Sequence, residues 1–215
     1  MVLNMIEVFT DGSFNSRAIN NDDMCICGGV GIVIRLFSNS DILEVEKEEY
    51  LAKRYTISEL KKIVNELNID ESNITSTLIE CIAFKDGLYK ALEYFNSNDI
   101  IKCYVDDSAT MKIVNTYINI KLNDGDITKS RRYGVYMRFL EKFLPTDLSI
   151  LKRIKIKHVV AHRTNKYNNM ADKLASYKAS PSDRVISCLA HNSQIDNEIE
   201  RKNYFLMINS IKKSQ

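Results

Sequence analysis

The chain has no tryptophan, only 2 prolines and only 7 glycines among 215 residues. No internal repeat and no low-complexity linker divides it. Scarce Gly and Pro beside plentiful Asn, Ile and Lys point to an AT-rich genome. No run is long and apolar enough to span a membrane, which excludes a helical membrane protein. The first residues, MVLNMIEVF, lack the basic start, apolar middle and small-residue cleavage site of a secretory signal, so an intracellular protein is expected. The 5 cysteines (Cys25, Cys27, Cys81, Cys103, Cys188) are odd in number and scattered. Only Cys25 and Cys27 are close, and one intervening residue is the wrong spacing for a zinc or thioredoxin-like pair. Buried, reduced thiols fit this pattern.

What is present is enough apolar sequence for a core: 45% hydrophobic against 27% charged residues. The length fits one domain with additions. The net charge of +2 hides an asymmetry, because residues 1–100 hold 9 Lys/Arg against 17 Asp/Glu while residues 101–215 hold 21 against 11. A basic half is a candidate polyanion-binding surface. A solvated lysine-rich face has the same composition.

Residues 5–10 read as a strand that ends in a turn, Asp11-Gly12-Ser13. A polar hairpin loop, 14–27, leads to the glycine-opened strand 28–37, and a charged strand, 44–52, suits a sheet edge. Ile57, Leu60, Ile63, Val64 and Leu67 mark a short amphipathic helix over 56–69. A long helix, 75–95, is apolar nearly all round and therefore buried, with Thr75 or Ser76 as its cap. Strand 100–108 ends in carboxylates and is followed by a helix over 108–118. A further helix, 128–144, carries an apolar stripe of Tyr133, Met137, Leu140 and Leu144, and Arg131, Arg132, Arg138 and Lys142 on its other face. Strand 153–162 ends in His162, and helix 168–179 follows. The tail from Pro181 is polar until NYFLMINSIKK, a candidate C-terminal helix. The expected fold class is α/β: a mixed five-stranded sheet with helices on both faces. The expected division is a catalytic domain over 1–180 and an extension over 181–215.

Carboxylates then gather at element ends. Asp11 closes the first strand; Asp107, with Asp106 beside it, closes the fourth. Glu80 and Asp172 lie in the first turns of two helices, where anions are favoured. Singly, each has an ordinary reading as a turn, cap or ion-pair residue. Four acids crowded together repel, and need protons or cations to coexist. Hard oxygen ligands suit Mg²⁺ or Mn²⁺. Two such ions, about 3.5–4 Å apart, can hold an attacking water and a leaving oxygen in line across a phosphodiester.

Several motifs in order resemble the type 1 ribonuclease H family: FTDGS at 9–13, GGVGIVI at 28–34, TSTLIECIA at 75–83, YVDDSATM at 104–111 and VVAHRTNKYNNMADKLA at 159–175. The last block is the most specific, with Asn168 six residues after His162 and Asp172 ten after it. The resemblance covers roughly residues 5–178. It implies a three-layer ribonuclease H-like fold and a hydrolase, expected to be monomeric, that cuts the RNA strand of RNA·DNA hybrids with two Mg²⁺ or Mn²⁺ ions. Asp11, Glu80, Asp107 and Asp172 fall on the family's metal-binding carboxylates, and His162 on its loop histidine, which assists proton transfer or product departure. Asp107 is preferred to Asp106 because Ser108 follows it, as in the family's Asp-Ser pair. Asp106 is then expected on the opposite face of the strand or as extra charge at the rim. Asn168 falls on the asparagine near the second metal. Gly12, Ser13, Thr75, Ser76, Thr77 and Ser108 are candidate substrate contacts, and Arg131, Arg132 and Arg138 candidate phosphate contacts.

The chain departs from the family in places. NSRAINNDDMCIC at 15–27 replaces the usual loop after the first strand. Ser76 and Thr77 stand where the family uses Asn or similar groups to sense the 2′-OH, and both can donate and accept. The absence of Trp excludes the family's tryptophan-bearing basic protrusion, so the basic helix 128–144 is the expected phosphate grip. Helix 56–69 is an insertion relative to compact members, and no small hybrid-binding domain is expected before the fold. His158, inside a strand, reads as a structural hydrogen-bonding histidine, and His191 as surface. Two further classes stay open on the same scaffold: a junction resolvase or 3′–5′ exonuclease, and a non-catalytic nucleic-acid binder.

Overall fold

The β-branched residues Val30, Ile32, Val33 and Ile34, with Gly31 among them, form the middle of the second strand, where it is buried on both faces. The computed structural model describes residues 4–16, 26–38, 45–130, 134–160 and 165–179. Its strands are β1 (Met5–Phe14), β2 (Ile26–Phe37), β3 (Val45–Thr56), β4 (Ile100–Val105) and β5 (Ile154–His158), in the sheet order β3-β2-β1-β4-β5. The pairs β1–β2 and β2–β3 are antiparallel, and β1–β4 and β4–β5 are parallel. This is the expected mixed five-stranded sheet.

The helices are α1 (Ile57–Glu66), α2 (Ser76–Leu92), α3 (Ser108–Leu122), α4 (Gly134–Phe143), α5 (Leu148–Leu151) and α6 (Lys166–Ala179). Thr56 and Glu59 close a reciprocal capping box that starts α1. Thr75 caps α2 by accepting a hydrogen bond from the Leu78 amide. Ile6, Val8, Ile32 and Ile34 belong to the larger core with residues of α2, α1, α3 and α4, and α1 and α3 reach the sheet beside α2. On the other face Phe9 and Val33 pack under Met170, Ala171 and Leu174 of α6. Successive strand residues point to opposite faces, so Val8 serves one core and Phe9 the other.

Four expectations change; the first is that the last strand, expected to run to His162, ends at His158. Asp11-Gly12-Ser13 is not a turn: β1 runs on to Phe14, because Gly12 pairs with Val30 and Phe14 with Gly28 of the antiparallel neighbour. Strand β4 stops at Val105 instead of 108, since Asp107 caps α3 and the chain turns there. The described helix α4 begins at Gly134, not 128; Ile127–Lys129 is a separate 3-10 turn capped by Asp126. Arg131, Arg132, His162 and the expected extension 181–215 lie outside the described residues. No helix among the described residues is long and apolar enough to cross a membrane.

Candidate active site

The parallel register of β1 and β4 ends at Thr10↔Val105. The next residues on the two chains are Asp11 and Asp106, so both acids emerge at one edge of the sheet. Asp11 shares the face of Phe9. Glu80 arrives from the other layer, in the second turn of α2. Gly12 makes that approach possible. A Cβ there would lie 2.7 Å from the Glu80 nitrogen and 2.8 Å from the Ile79 carbonyl carbon, both backbone atoms. The Gly12 amide also donates a hydrogen bond to the Glu80 carboxylate.

One carboxylate oxygen from each of Asp11, Glu80 and Asp106 lies within 4.8 Å of the others. Asp11 is only 6% exposed and Glu80 8%, while Asp106 is half-buried. Burial, then the charges of Asp106 and Asp172, push the Asp11 carboxyl up to about 8. Burial first, then Asp11, Asp106 and Asp107, raise Glu80 well above the usual carboxylate range, opposed by the Gly12 amide. Glu80 Oε2 is buried and has no hydrogen-bond partner among the described residues. A buried carboxylate oxygen without a donor is costly unless a proton or a cation completes it. The donor set, hard oxygens converging with one orphaned, fits a divalent cation.

The third acid of this trio is Asp106, not the preferred Asp107. Asp107 is the N-cap of α3: Oδ1 accepts from the Ala109 amide at 3.1 Å, and Oδ2 from the Thr110 amide at 2.8 Å and the Thr110 hydroxyl at 2.6 Å. Both its oxygens are committed to the helix. Asp106 precedes the cap and is anchored twice. The Asn168 amide donates to its Oδ2 at 3.3 Å, and the His158 ring contacts its backbone carbonyl at 2.8 Å. The sequence reading of His158 as a hydrogen-bonding histidine named no partner, since the partner lies 52 positions away.

Asp172, on α6, is half-buried and near enough to Asp11 to raise its pKa; Ser176 Oγ donates to it at 3.4 Å. It is outside the close trio. Asn168 is 1% exposed, and its Oδ1 has no partner among the described residues. Gly12 and Ser13 lie in the last turns of pairing on β1, and Ser108 is the exposed first residue of α3. Thr75 contacts the Tyr136 hydroxyl at 3.1 Å, Ser76 is exposed and Thr77 half-buried. Arg138 is exposed on α4, whereas Lys142 bonds the Glu66 carbonyl at 2.9 Å.

Comparison with solved structures decides the architecture. The chain superposes on LC9-RNase H1, described as a type 1 RNase H with the type 2 active-site motif, with a TM-score of 0.54 over 83% of this chain and 74% of that one, at 11% identity. The chain has the ribonuclease H fold. Looser matches include the foamy viral protease-reverse transcriptase solved with dsDNA, with a TM-score of 0.47 and 14% identity over 84% of this chain and 96% of that one. The RNase H1 of the halophilic archaeon Halobacterium salinarum NRC-1 matches with a TM-score of 0.43 and 14% identity over 81% of this chain and 96% of that one. No protein-family model and no curated protein matches the sequence. In this ribonuclease H fold the acidic trio sits where β1 and β4, the two central parallel strands, present their carboxyl ends. Open α/β sheets gather ligands at that edge.

Proposed function

We propose that the protein is a divalent-metal-dependent endoribonuclease that hydrolyses the RNA strand of RNA·DNA hybrids. The observation that carries this reading is the convergence of Asp11, Glu80 and Asp106, with one Glu80 oxygen buried and without a partner among the described residues, on a ribonuclease H fold. Asp11, Glu80 and Asp106 are the residues to hold one Mg²⁺ or Mn²⁺, with Asp172 beside Asp11 to share a second. With two such ions held there, the site would gain a water of lowered pKa and a charge to offset that of the phosphate.

The chain's own residues do the rest. Sheet and helix backbones fix Asp11 and Glu80 so that little reorganisation is needed. Asn168 and His158 hold Asp106 in place. The Asn168 oxygen, without a partner among the described residues, offers a further acceptor at the same edge. Gly12, Ser13, Thr75, Ser76, Thr77 and Ser108 offer amides and hydroxyls to the RNA strand, whose 2′-OH separates it from DNA. Arg138, with Arg131 and Arg132, supplies cations to phosphates. His162 moves a proton during turnover without ligating metal.

The test is cleavage of matched RNA·DNA hybrid, duplex DNA, duplex RNA and single strands, with Mg²⁺, Mn²⁺ or chelator. Cutting confined to the RNA of the hybrid and abolished by chelator is the expected result. Cutting at DNA junctions or 3′ ends, or no cutting with any metal, overturns it.

A further inference from the structure

Helix α6 covers only part of its face of the sheet. It packs on β1, β2 and β3. Beside it, β4 and β5 turn Lys102, Tyr104, Lys155 and Lys157 to that side, because Ile101, Cys103, Ile154 and Ile156 all serve the core on the other. Lys102 pairs in register with Lys155, and Tyr104 with Lys157, so three lysines stand together around one tyrosine. Lys155 and Lys157 are exposed, and Lys102 is half-buried. None of the three makes an ion pair among the described residues.

Between this face and the start of α6 lies a depression of about 350 Å³, lined by Phe9, Arg35, Tyr104, Lys166 and Tyr167 among others. Its aromatic walls are held. Phe9 and Tyr104 stack at 4.4 Å and 7°, and the Arg35 guanidinium lies 4.1 Å from the Tyr167 ring centre. Glu7 lines the depression too: Arg35 pairs with Glu7 at 2.8 Å and Glu48 at 3.2 Å, and the Tyr104 and Tyr167 hydroxyls donate to these same two acids, so this wall keeps one negative charge more than Arg35 offsets and the cations that could meet a backbone are the lysines beside it. Flat rings beside Lys102, Lys155 and Lys157 are the elements of a single-strand binding surface, where bases stack and cations follow the backbone. A space of this volume admits one unpaired base. A base within a duplex is stacked and paired, so only an unpaired one is free to turn into it. The track points at the acidic trio, since Asp106 follows Tyr104 by two residues.

We propose that the β4–β5 face is a docking track for single-stranded nucleic acid flanking the cleavage site, with an unpaired base between Tyr104 and Tyr167 and its phosphates on Lys102, Lys155 and Lys157. The proposal adds a second contact to the proposed nuclease and rests on that reading only for where the strand leads.

The test measures binding in chelator, so that no strand is cut. Fluorescence anisotropy compares a labelled RNA·DNA hybrid bearing a single-stranded overhang with the blunt hybrid. In the triple variant Lys102→Gln, Lys155→Gln, Lys157→Gln, the log–log salt slope for the overhang substrate is expected to fall by roughly 2, at about 0.7 per phosphate of a single strand. The slope for the blunt hybrid stays at the wild-type value. Tyr104→Leu keeps apolar volume but loses the flat ring, and is expected to weaken overhang binding about tenfold at unchanged slope. An unchanged slope with the overhang, or an equal fall with the blunt hybrid, overturns the track. So does an equal fall in a control variant, Lys61→Gln with Lys62→Gln on α1. Cleavage of blunt hybrid separates the two readings. Wild type that binds overhangs through these lysines but never cuts overturns the nuclease and keeps the track.

Discussion

The imidazole Nε2 of His158 lies 2.8 Å from the backbone carbonyl oxygen of Asp106. The last residue of β5 thus grips the residue that follows β4. Replacing His158 with Ala removes one hydrogen bond, a stability loss of about 1 kcal/mol. We expect a several-fold weaker Mn²⁺ titration in a calorimeter and a lower kcat with KM near wild type. His158→Gln, whose amide can donate to the same carbonyl, should recover much of both. Identical metal titrations for wild type and Ala would show that the carbonyl needs no clamp.

Asp106 and Asp107 should separate cleanly. Asp106→Asn is expected to abolish hydrolysis while thermal stability in metal-free buffer is kept or raised, because one source of repulsion on Asp11 and Glu80 is gone. Asp107→Ala removes the α3 cap and should cost about 0.5–2 kcal/mol in urea unfolding, with most of the activity retained. The reverse pattern would return Asp107 to the metal site.

Glycines set the distance between layers. A Cβ at Gly31 would meet the Ala171 carbonyl oxygen at 1.9 Å and the Ala175 nitrogen at 2.7 Å, backbone atoms that cannot swing aside. At Gly28 the nearest atom, 3.0 Å away, is the Ile79 Cδ1 at the end of a flexible side chain. Gly31→Ala and Gly12→Ala are therefore expected to lower stability by about 1–3 kcal/mol each, and Gly28→Ala by clearly less. Urea midpoints rank them. Gly12→Ala should also weaken metal binding, since it displaces the backbone that carries Glu80.

The raised Asp11 carboxyl makes a pH prediction. It titrates at about 8 when folded and near ~3.9 when unfolded. Between these values the folded, metal-free protein holds more protons than the unfolded chain, so stability falls as pH rises. The contribution is fully present below the unfolded value and is lost as pH climbs through the folded one. Scanning calorimetry in chelator should show Tm decreasing from about pH 5 to about pH 9. Asp11→Asn should flatten that slope, and Mg²⁺ should raise the wild-type Tm most at the alkaline end. An equally steep slope in the variant would assign the effect to other groups.

Local sequence determined the elements and their order, because each rests on neighbours in the chain. The periodicity of Ile57, Leu60 and Val64 suffices for α1, and Thr75 for the start of α2. The β-branched run of β2 and the later alternation of strands and helices were enough for a mixed sheet. Candidate acids at element ends were legible too, since short motifs keep their spacing. Tertiary structure alone decided the rest. Whether Asp11 ends a strand depends on what pairs beyond it, and only the register with β2 carries β1 on to Phe14. Two adjacent aspartates are chemically identical in a sequence. Asp107 becomes a cap and Asp106 joins Asp11 and Glu80 because α3 begins where it does, with His158 and Asn168 arriving from 52 and 62 positions away. The lysines of β4 and β5 likewise read as scattered charge until strand pairing sets them side by side around Tyr104 on a face that α6 leaves bare.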